Sequence, residues 1–289
     1  MKPAPFEYSR PQSLDEACVL LKREEGARLI AGGQTLVPFM AMRLARPSRL
    51  IDIARLSELS YVRDEGDAVA IGATTKQCVV ESDPLVRAKV PLLAKALPYV
   101  GHGATRARGT VGGSLANADP AAEIALVAVT LGATLIWRDG DETKQSEAAD
   151  FFLGPMLTAM PTTACLTAVR FPVWAEKRAG VGFHEINARQ SDFAFVSAAA
   201  QVAVDQNGAI IRAAVGLGAV AAMPLRLDGV AQKLTGAKEP EVREALKRAL
   251  AEIEPMSDLH ASADYRRRVA VTLGVRAIAD AYRAAMGRA

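Results

Sequence analysis

The sequence predicts an α+β protein with a two-part α/β domain at its N-terminal end and a smaller α+β domain after it. β-prone runs at residues 27–31 and 49–53 enclose a helical segment, and this pattern is typical of an α/β unit. Beyond about residue 178 the pattern changes to β-prone runs followed by amphipathic helices, which favours a separate α+β domain. The length of 289 residues agrees with this division, because domains average roughly 150 residues.

The first helix has recognisable start and stop signals. Ser13 and Glu16 form a capping box, in which the Ser13 hydroxyl accepts a free backbone N–H and Glu16 reaches back. Gly26 is expected to end the helix. A second, shorter helix is predicted at residues 34–44, with Pro38 in its first turn.

The second part of the N-terminal domain contains two expected helix starts. Asp83 followed by Pro84 is the usual pair of an N-cap and a first helical residue. Asp119 and Pro120 repeat this pair ahead of an apolar segment at 121–131, which we expect to form a buried helix. The expected strands of this part cover residues 69–72, 134–137 and 166–171.

The C-terminal domain is predicted from a hairpin signal and two helices. Asn207-Gly208 joins β-prone runs at 195–204 and 209–217, and this dipeptide tolerates the positive φ of a tight turn. Amphipathic helices are expected at residues 241–253 and 262–286. The predicted domains cover residues 1–175, with subdomains at about 1–57 and 58–175, and residues 176–289.

Composition excludes several classes of function. The formal charge is +3, with 35 basic and 32 acidic residues, which argues against nucleic acid as a partner. Cys18, Cys78 and Cys165 lie far apart with no CxxC spacing, so we expect neither disulfides nor iron–sulfur ligation. The longest apolar stretch, residues 124–133, is shorter than the ~20 residues of a membrane helix. The opening residues lack an apolar secretory segment, and we expect a cytoplasmic protein that does not span a membrane.

Two glycine-rich loops are the main candidates for a functional site. The first, AGGQTL, covers residues 31–36, and the second, RGTVGGSLANADPAAE, covers residues 108–123. Each follows an apolar or β-prone run and precedes a helix. Consecutive glycines let backbone N–H groups approach an oxyanion, and a helix start adds further free N–H groups. Together the loops could hold the two phosphates of a dinucleotide.

Each of these features also has a simpler interpretation. A glycine pair is often only a turn, and Asp119 could serve only as an N-cap. His102 lies in a glycine-flanked loop and could be an ordinary surface residue. The residues by themselves therefore indicate a dinucleotide site without excluding these alternatives.

The common nucleotide-binding fingerprints are missing from the sequence. The closest approach to GxGxxG is Gly216-Leu217-Gly218, but Ala221 occupies the last position and the segment lies in a hairpin. There is no GxxxxGK[ST] segment, so a P-loop NTPase is excluded. A nucleotide site in this chain belongs to a different architecture.

Several segments together resemble the FAD-binding subunits of molybdenum hydroxylases, the medium chains of carbon monoxide dehydrogenase and related enzymes. The resemblance covers nearly the whole chain, and its segments are FEYSRPQSLDEACVLL, AGGQTLVPFMAMRLARPSRLIDI, TVGGSLANADPAAE, RQSDFAFVSAAAQV and GAVAAMPLR. It implies a two-part FAD-binding domain of the vanillyl-alcohol-oxidase type, followed by the smaller C-terminal domain of this family.

The resemblance also implies roles for individual residues. The loop that wraps the FAD pyrophosphate corresponds to Ala31, Gly32, Gly33, Gln34, Thr35 and Leu36. The second phosphate and ribityl loop corresponds to Thr110, Gly112, Gly113 and Ser114. Polar positions near the ribityl chain and the adenosine correspond to Asn117, Asp119 and Glu123. An apolar position near the adenine corresponds to Leu166, and His102 lies in the stretch that passes the flavin.

Two positions depart from the family pattern. Thr105 precedes Arg106 where the family often has isoleucine, and Phe183-His184-Glu185 covers a stretch where many members have a lysine. These departures put polar contacts near Glu185 in doubt, and they leave both phosphate loops intact.

The activity implied by the resemblance is electron transfer through non-covalently bound FAD, without a catalytic residue of this chain's own. The expected partners are a large subunit with the molybdenum cofactor and a small subunit with two [2Fe–2S] clusters, in a dimer of heterotrimers. An external acceptor would take the electrons from FAD. The sequence leaves open the substrate of the complex, the identity of the acceptor and the surface that faces the iron–sulfur partner.

Two alternatives remain at this point. A stand-alone flavin oxidase of the same fold would bind its own substrate, but such enzymes usually carry a larger substrate domain. An assembly subunit that has lost its flavin would not need intact glycine loops.

Overall fold

The computed structural model describes residues 2–238 and 242–287, so Glu241, the expected first residue of one helix, lies outside the described residues. The first part of the chain contains β1 (Glu7–Ser9), α1 (Leu14–Arg23), β2 (Arg28–Ile30), α2 (Leu36–Ala41) and β3 (Arg49–Asp52). The three strands form a parallel sheet with β3 in the centre, which confirms the opening strand–helix–strand unit.

The Ser13 half of the predicted capping box of α1 is confirmed by its hydrogen bond. The Ser13 hydroxyl accepts from the Glu16 N–H at 3.2 Å, and the Glu16 carboxylate accepts from the Gln12 N–H at 2.7 Å. The first bond satisfies an N–H group that the first turn of a helix leaves without a partner, whereas Glu16 reaches back one residue beyond the N-cap, to Gln12. The helix ends at Arg23, and Gly26 follows it with a φ of +78°.

The second part is built on a five-stranded antiparallel sheet in the order β4-β5-β10-β6-β7. Its strands are β4 (Val62–Asp64), β5 (Ala68–Gly72), β6 (Thr134–Asp139), β7 (Glu142–Glu147) and β10 (Cys165–Pro172), and a hairpin of β8 (Phe152–Gly154) and β9 (Leu157–Thr158) lies beside it. Its helices are α3 (Gln77–Ser82), α4 (Pro84–Lys89), α5 (Pro91–Ala96), α6 (Gly103–Arg106), α7 (Val111–Asn117), α8 (Glu123–Leu131) and α9 (Ala148–Phe151).

One of the two expected helix caps in this part is confirmed and the other is wrong. The Asp83 carboxylate accepts from the N–H groups of Leu85 and Val86, as an N-cap should. Asp119 instead accepts from the Ala121 N–H at 2.9 Å in a turn, and α8 begins only at Glu123. The reason is that α7, which was not predicted, fills the glycine-rich loop and must end before α8 can begin.

The C-terminal part is a four-stranded antiparallel sheet in the order β11-β12-β13-β14, with three helices. Its elements are β11 (Ala179–Ile186), β12 (Val196–Val204), β13 (Ile210–Gly218), β14 (Leu225–Arg226), α10 (Asp228–Leu234), α11 (Arg243–Ala251) and α12 (Ala263–Ala285). The hairpin between β12 and β13 is confirmed, and Gly208 supplies its positive φ of +81°. Strand β11 and helix α10 were not predicted from the sequence.

Helix α8 is the element shared by the two halves of the structure. Each of its residues is buried, as its apolar composition predicts. On one side α8 belongs to the core of the five-stranded sheet, and on the other it packs against β13. Close approach is possible because Gly216 has no side chain: a Cβ there would lie 2.0 Å from the Thr130 hydroxyl oxygen. This contact fixes the C-terminal sheet against the last turn of α8.

Among the helices that the structure describes, none is long and apolar enough to cross a membrane.

Helix α12 packs on β11 and β12. The helix lies close to β11 because two alternate residues of that strand are glycines. A Cβ on Gly182 would lie 2.0 Å from the carbonyl oxygen of Ala277. That atom is backbone and cannot move aside without displacing the helix.

We therefore predict that Gly182→Ala lowers the free energy of unfolding by about 1–3 kcal/mol, the usual cost of overpacking. Gly229→Ala is the matched control, because it lies within α10 and a Cβ there meets no atom within 4 Å. The control should be neutral or stabilising by about 0.5–1 kcal/mol, since alanine favours helix. Chemical denaturation of both variants measures the difference, and equal stability would contradict the packing described for α12.

Candidate functional site

The two glycine-rich loops meet at a single cleft with a volume of about 730 Å³. The predicted residues that line it are Ala31, Gly32, Gly33, Gln34, Thr35, Leu36, Thr110, Gly112, Gly113, Ser114, Asn117, Asp119, Glu123 and Leu166. His102 is exposed at the N-terminal end of α6, and its neighbours Val100 and Gly101 line the cleft in its place. The chain therefore brings together the residues of two loops that are separated by more than seventy positions in the sequence.

The first loop presents free backbone donors to the cleft. Within residues 2–238 and 242–287, the N–H groups of residues 32–35 have no hydrogen-bond acceptor. Gly33 has a φ of +68°, a conformation that glycine adopts without steric cost. The Gln34 side chain donates to the carbonyl oxygen of Gly32 at 3.0 Å and holds the turn. Backbone N–H groups without acceptors, in a loop that lines a cleft, are suited to bind an anion.

The second loop differs from the expectation, because its glycine N–H groups are already bonded. Gly112 donates to the carbonyl oxygen of Ala73 at 2.9 Å, and Gly113 donates to the Thr110 hydroxyl at 3.0 Å. A Cβ on Gly112 would lie 2.4 Å from that of Ala73, so this glycine serves close packing against the end of β5. The side chains that this loop adds to the cleft wall include Ser114 near the start of α7, and Asp119 and Glu123 beyond the end of that helix.

The two loops also contact each other directly. A Cβ on Gly32 would lie 2.5 Å from the carbonyl oxygen of Arg108 and 2.7 Å from the Cα of Gly109. Both atoms are backbone, so only glycine at position 32 allows the loops to meet. The contact sets the width of the cleft between its two walls.

Arg106 fixes a further segment of the wall. Its guanidinium donates to the carbonyl oxygens of Val100 and Gly101, at 3.2 and 2.8 Å, and to the Glu81 carboxylate at 2.7 Å. Val100 and Gly101 line the cleft. A charged donor with several acceptors is a strong constraint on backbone position. These hydrogen bonds of Arg106 form although the residue before it is Thr105 and not an isoleucine.

Two acidic residues of the second loop lie at the cleft in a desolvated environment. Burial raises the pKa of Glu123 to about 7, with a further contribution from the nearby charge of Asp119, while Arg106 acts in the opposite direction. Burial also raises the pKa of Asp119, against the hydrogen bond from Ala121. Glu123 therefore changes its protonation state near neutral pH.

The sequence analysis missed several residues that line the cleft. They come from α2, α3 and α6, from the β8–β9 hairpin and the segment after it, and from the loop before β12: Phe39, Gln77, Thr105, Met156, Leu157, Thr158, Met160, Pro161, Thr162, Ser191, Asp192 and Phe193. Phe39 and the last three lay in segments that the sequence analysis quoted for the family resemblance, and Thr105 was named there only as a departure from the family pattern. The others have no local pattern, because they reach the cleft through the fold.

No group of histidine, cysteine, aspartate or glutamate side chains in the described residues could hold a metal ion. Cys18 and Cys165 are buried, and burial raises the pKa of both thiols, that of Cys165 to about 12. The cleft thus offers backbone donors, a few hydroxyls and carboxyls, and apolar walls. This combination is typical of a protein that binds a nucleotide cofactor.

Comparisons with known proteins identify the cofactor. Residues 4–174 match the family described as the FAD binding domain in molybdopterin dehydrogenase, and residues 182–281 match the CO dehydrogenase flavoprotein C-terminal domain. The chain is 34% identical to the nicotine 6-hydroxylase medium subunit of Paenarthrobacter nicotinovorans, over 97% of this chain and 99% of that one. It is 32% identical to the carbon monoxide dehydrogenase medium chain of Hydrogenophaga pseudoflava, over 98% and 99% of the two chains.

A solved structure shows the same fold. A chain of quinoline 2-oxidoreductase from Pseudomonas putida 86 superimposes with a TM-score of 0.93 at 35% identity, over 99% of this chain and 100% of that one. The chain described here belongs to the family of FAD-binding medium subunits of molybdenum hydroxylases. Its relatives are subunits of oxidoreductases, and the sequence-based resemblance and fold class are confirmed.

The residues of the cleft fit FAD. Unpartnered N–H groups at residues 32–35 suit a pyrophosphate, which is anionic and needs donors. A volume of about 730 Å³ lies within the usual range of small-molecule sites, about 300–1,000 Å³. Leu166 is buried in the wall, as an apolar contact for a flat ring requires.

We predict that Gly32→Ala lowers the affinity for FAD by about tenfold or more. The added methyl group would push the two loops apart, and overpacking of this kind costs about 1–3 kcal/mol. Gly103→Ala is the control, since that glycine lies in α6 near the cleft and a Cβ there meets no atom within 4 Å. The flavin content of the two purified variants provides the measurement. Equal content would mean that the contact between the loops does not shape the site.

Proposed function

We propose that this chain binds FAD non-covalently in the cleft and passes electrons from [2Fe–2S] clusters on a small partner subunit to an external acceptor. The observation that supports this proposal most strongly is that residues 32–35, whose N–H groups have no acceptor in the described residues, line a cleft shared with the second glycine loop. A large partner subunit would hold the molybdenum cofactor and oxidise the substrate.

The bound flavin supplies the redox chemistry, and this chain positions it. In the proposed site the N–H groups of residues 32–35 donate to the pyrophosphate, with Ala31 and Leu36 at the ends of the loop. Thr110 and Ser114 lie beside the second phosphate and the ribityl chain. Gly112 and Gly113 hold that wall in place through their own hydrogen bonds.

The remaining proposed contacts with FAD are polar at the ribityl chain and the ribose, and apolar at the adenine. Asn117, Asp119 and Glu123 would accept hydrogen bonds from hydroxyls of the ribityl chain and the ribose. Leu166 would pack near the adenine. His102 would contribute only through the segment that it shares with Val100 and Gly101, since its own side chain is exposed.

The proposed assembly is a dimer of heterotrimers in the cytoplasm. The names of the relatives, medium chain and medium subunit, describe one subunit among several and support a partnership of this kind. The proposed division of the chain assigns residues 1–175 to FAD, in subdomains of about 1–57 and 58–175, and residues 176–289 to the C-terminal domain. The change of sheet between Pro172 and Ala179 supports that boundary.

We predict that the isolated chain retains FAD and lacks hydroxylase activity, whereas the complex purified from its native host oxidises an organic substrate with an artificial electron acceptor. The physical reason is that this chain has residues to hold a flavin and, in its described part, no side-chain cluster for a metal. The measurement is substrate-dependent dye reduction by both preparations. Sustained turnover of an organic substrate by the isolated chain would favour a stand-alone oxidase instead.

A further inference from the structure

One arginine side chain of the C-terminal part is almost completely buried. Arg266 lies near the start of α12 and is only 2% exposed. Its guanidinium donates to the carbonyl oxygens of Phe195 and Ala219, at 2.5 and 2.7 Å, and to the Asp258 carboxylate at 2.6 Å. These three acceptors lie just before β12, just after β13 and between α11 and α12. A buried charge must be paired and hydrogen-bonded, so this side chain joins three segments that are distant in the sequence.

The first of these acceptors lies at the base of the loop between β11 and β12. The N–H of Phe195 donates to the carbonyl oxygen of Ile186 at 2.7 Å, so the loop of residues 187–194 begins and ends at one hydrogen-bonded pair. The Phe195 ring also stacks on the His260 ring, with 5.7 Å between the ring centroids. Residues 191–193 of this loop line the cleft. The buried guanidinium therefore holds the base of a loop that forms part of the cleft wall.

The second acceptor belongs to a contact between the C-terminal part and the second glycine-rich loop. The N–H of Ala219 donates to the carbonyl oxygen of Pro120 at 2.9 Å. Pro120 lies in the turn between Asp119 and Ala122, and both of these residues line the cleft. Ala219 has a φ of +58°, a conformation that is sterically unfavourable for alanine. The hydrogen bond from Arg266 to its carbonyl oxygen stabilises the conformation in which its N–H meets Pro120.

We propose that Arg266 is a positioning residue for the FAD site, which fixes two segments of the cleft wall without lining the cleft itself. The two segments are the loop of residues 187–194 and the turn of residues 119–122. The proposal rests on FAD occupying the cleft, as argued above. It makes the C-terminal part a contributor to the FAD site, although both glycine-rich loops belong to the N-terminal part.

Fixed wall segments raise the affinity because a mobile segment must be ordered when the cofactor binds. The free energy of ordering a loop is subtracted from the free energy of binding. With Arg266 in place, the two segments are ordered when the chain folds, before FAD arrives. The loop at residues 31–36 is set separately, by the contact of Gly32 with Arg108 and Gly109. Loss of the Arg266 side chain should therefore weaken FAD binding and not abolish it.

The test compares Arg266→Gln with its matched control, Arg267→Gln. Arg267 is the next residue of α12 and also donates to backbone carbonyl oxygens, but these belong to Leu250 and Ile253, outside the cleft wall. FAD-free chains are titrated with FAD by flavin fluorescence, at a temperature at which each variant is folded. The dissociation constant should rise by about tenfold or more in Arg266→Gln, because buried charge-assisted hydrogen bonds are lost. In Arg267→Gln it should stay within about twofold of the unmodified chain.

The loop itself contains a reporter of its position. The side chain of Arg189 is 85% exposed, and trypsin cleaves after arginine most readily in exposed, mobile segments. In the FAD-free chain, Arg266→Gln should accelerate cleavage after Arg189 by about fivefold or more, because the base of the loop opens more often. Arg267→Gln should be cleaved there at the rate of the unmodified chain. Mass spectrometry of the fragments identifies the site of cleavage.

Equal dissociation constants of FAD in the two variants would overturn the proposal, and so would weaker binding without faster cleavage after Arg189. If Arg266→Gln does not fold, Arg266→Lys replaces it. Lysine keeps the charge beside Asp258 but presents its donors from a single nitrogen, so both effects should persist in a weaker form. Unchanged FAD affinity and cleavage in Arg266→Lys would then overturn the proposal. Failure of the proposed function looks different, since the unmodified chain would bind no FAD.

Discussion

The contact between Gly32 and the backbone at Arg108 and Gly109 is the constraint on which the site depends. It brings a loop of the parallel sheet against a loop of the antiparallel sheet, at a distance that a Cβ would prevent. Residues 32–35, whose N–H groups have no acceptor in the described residues, line the resulting cleft. The proposed anion-binding site would thus lie at the junction of two folded units.

Helix α8 extends this arrangement into the C-terminal part. Its first residue, Glu123, lines the cleft, while its buried length packs against both the five-stranded sheet and β13. Because Gly216 permits the close approach of β13, the C-terminal sheet is fixed relative to the cleft. The loop before β12 can therefore supply Ser191, Asp192 and Phe193 to the wall.

The sequence predicted the features that depend only on residues close together in the chain. The opening strand–helix–strand unit, the Asp83 cap and the hairpin at Gly208 each depend on a few neighbouring residues, and all three are confirmed. The sequence could not predict that the N–H groups of Gly112 and Gly113 are already bonded, because their acceptors include Ala73 at the end of another element. The residues of α3 and of the β8–β9 hairpin that line the cleft could not be predicted either, because they reach it only through the fold.

The central claim is that the free N–H groups of residues 32–35 bind a diphosphate. The most direct measurement is the displacement of FAD from the chain by ADP and by adenosine, which differ only in that group. Charge-assisted hydrogen bonds contribute about 1.5–3 kcal/mol each, so two of them predict that ADP competes at least about 100-fold more strongly. Equal competition by the two compounds would contradict the account.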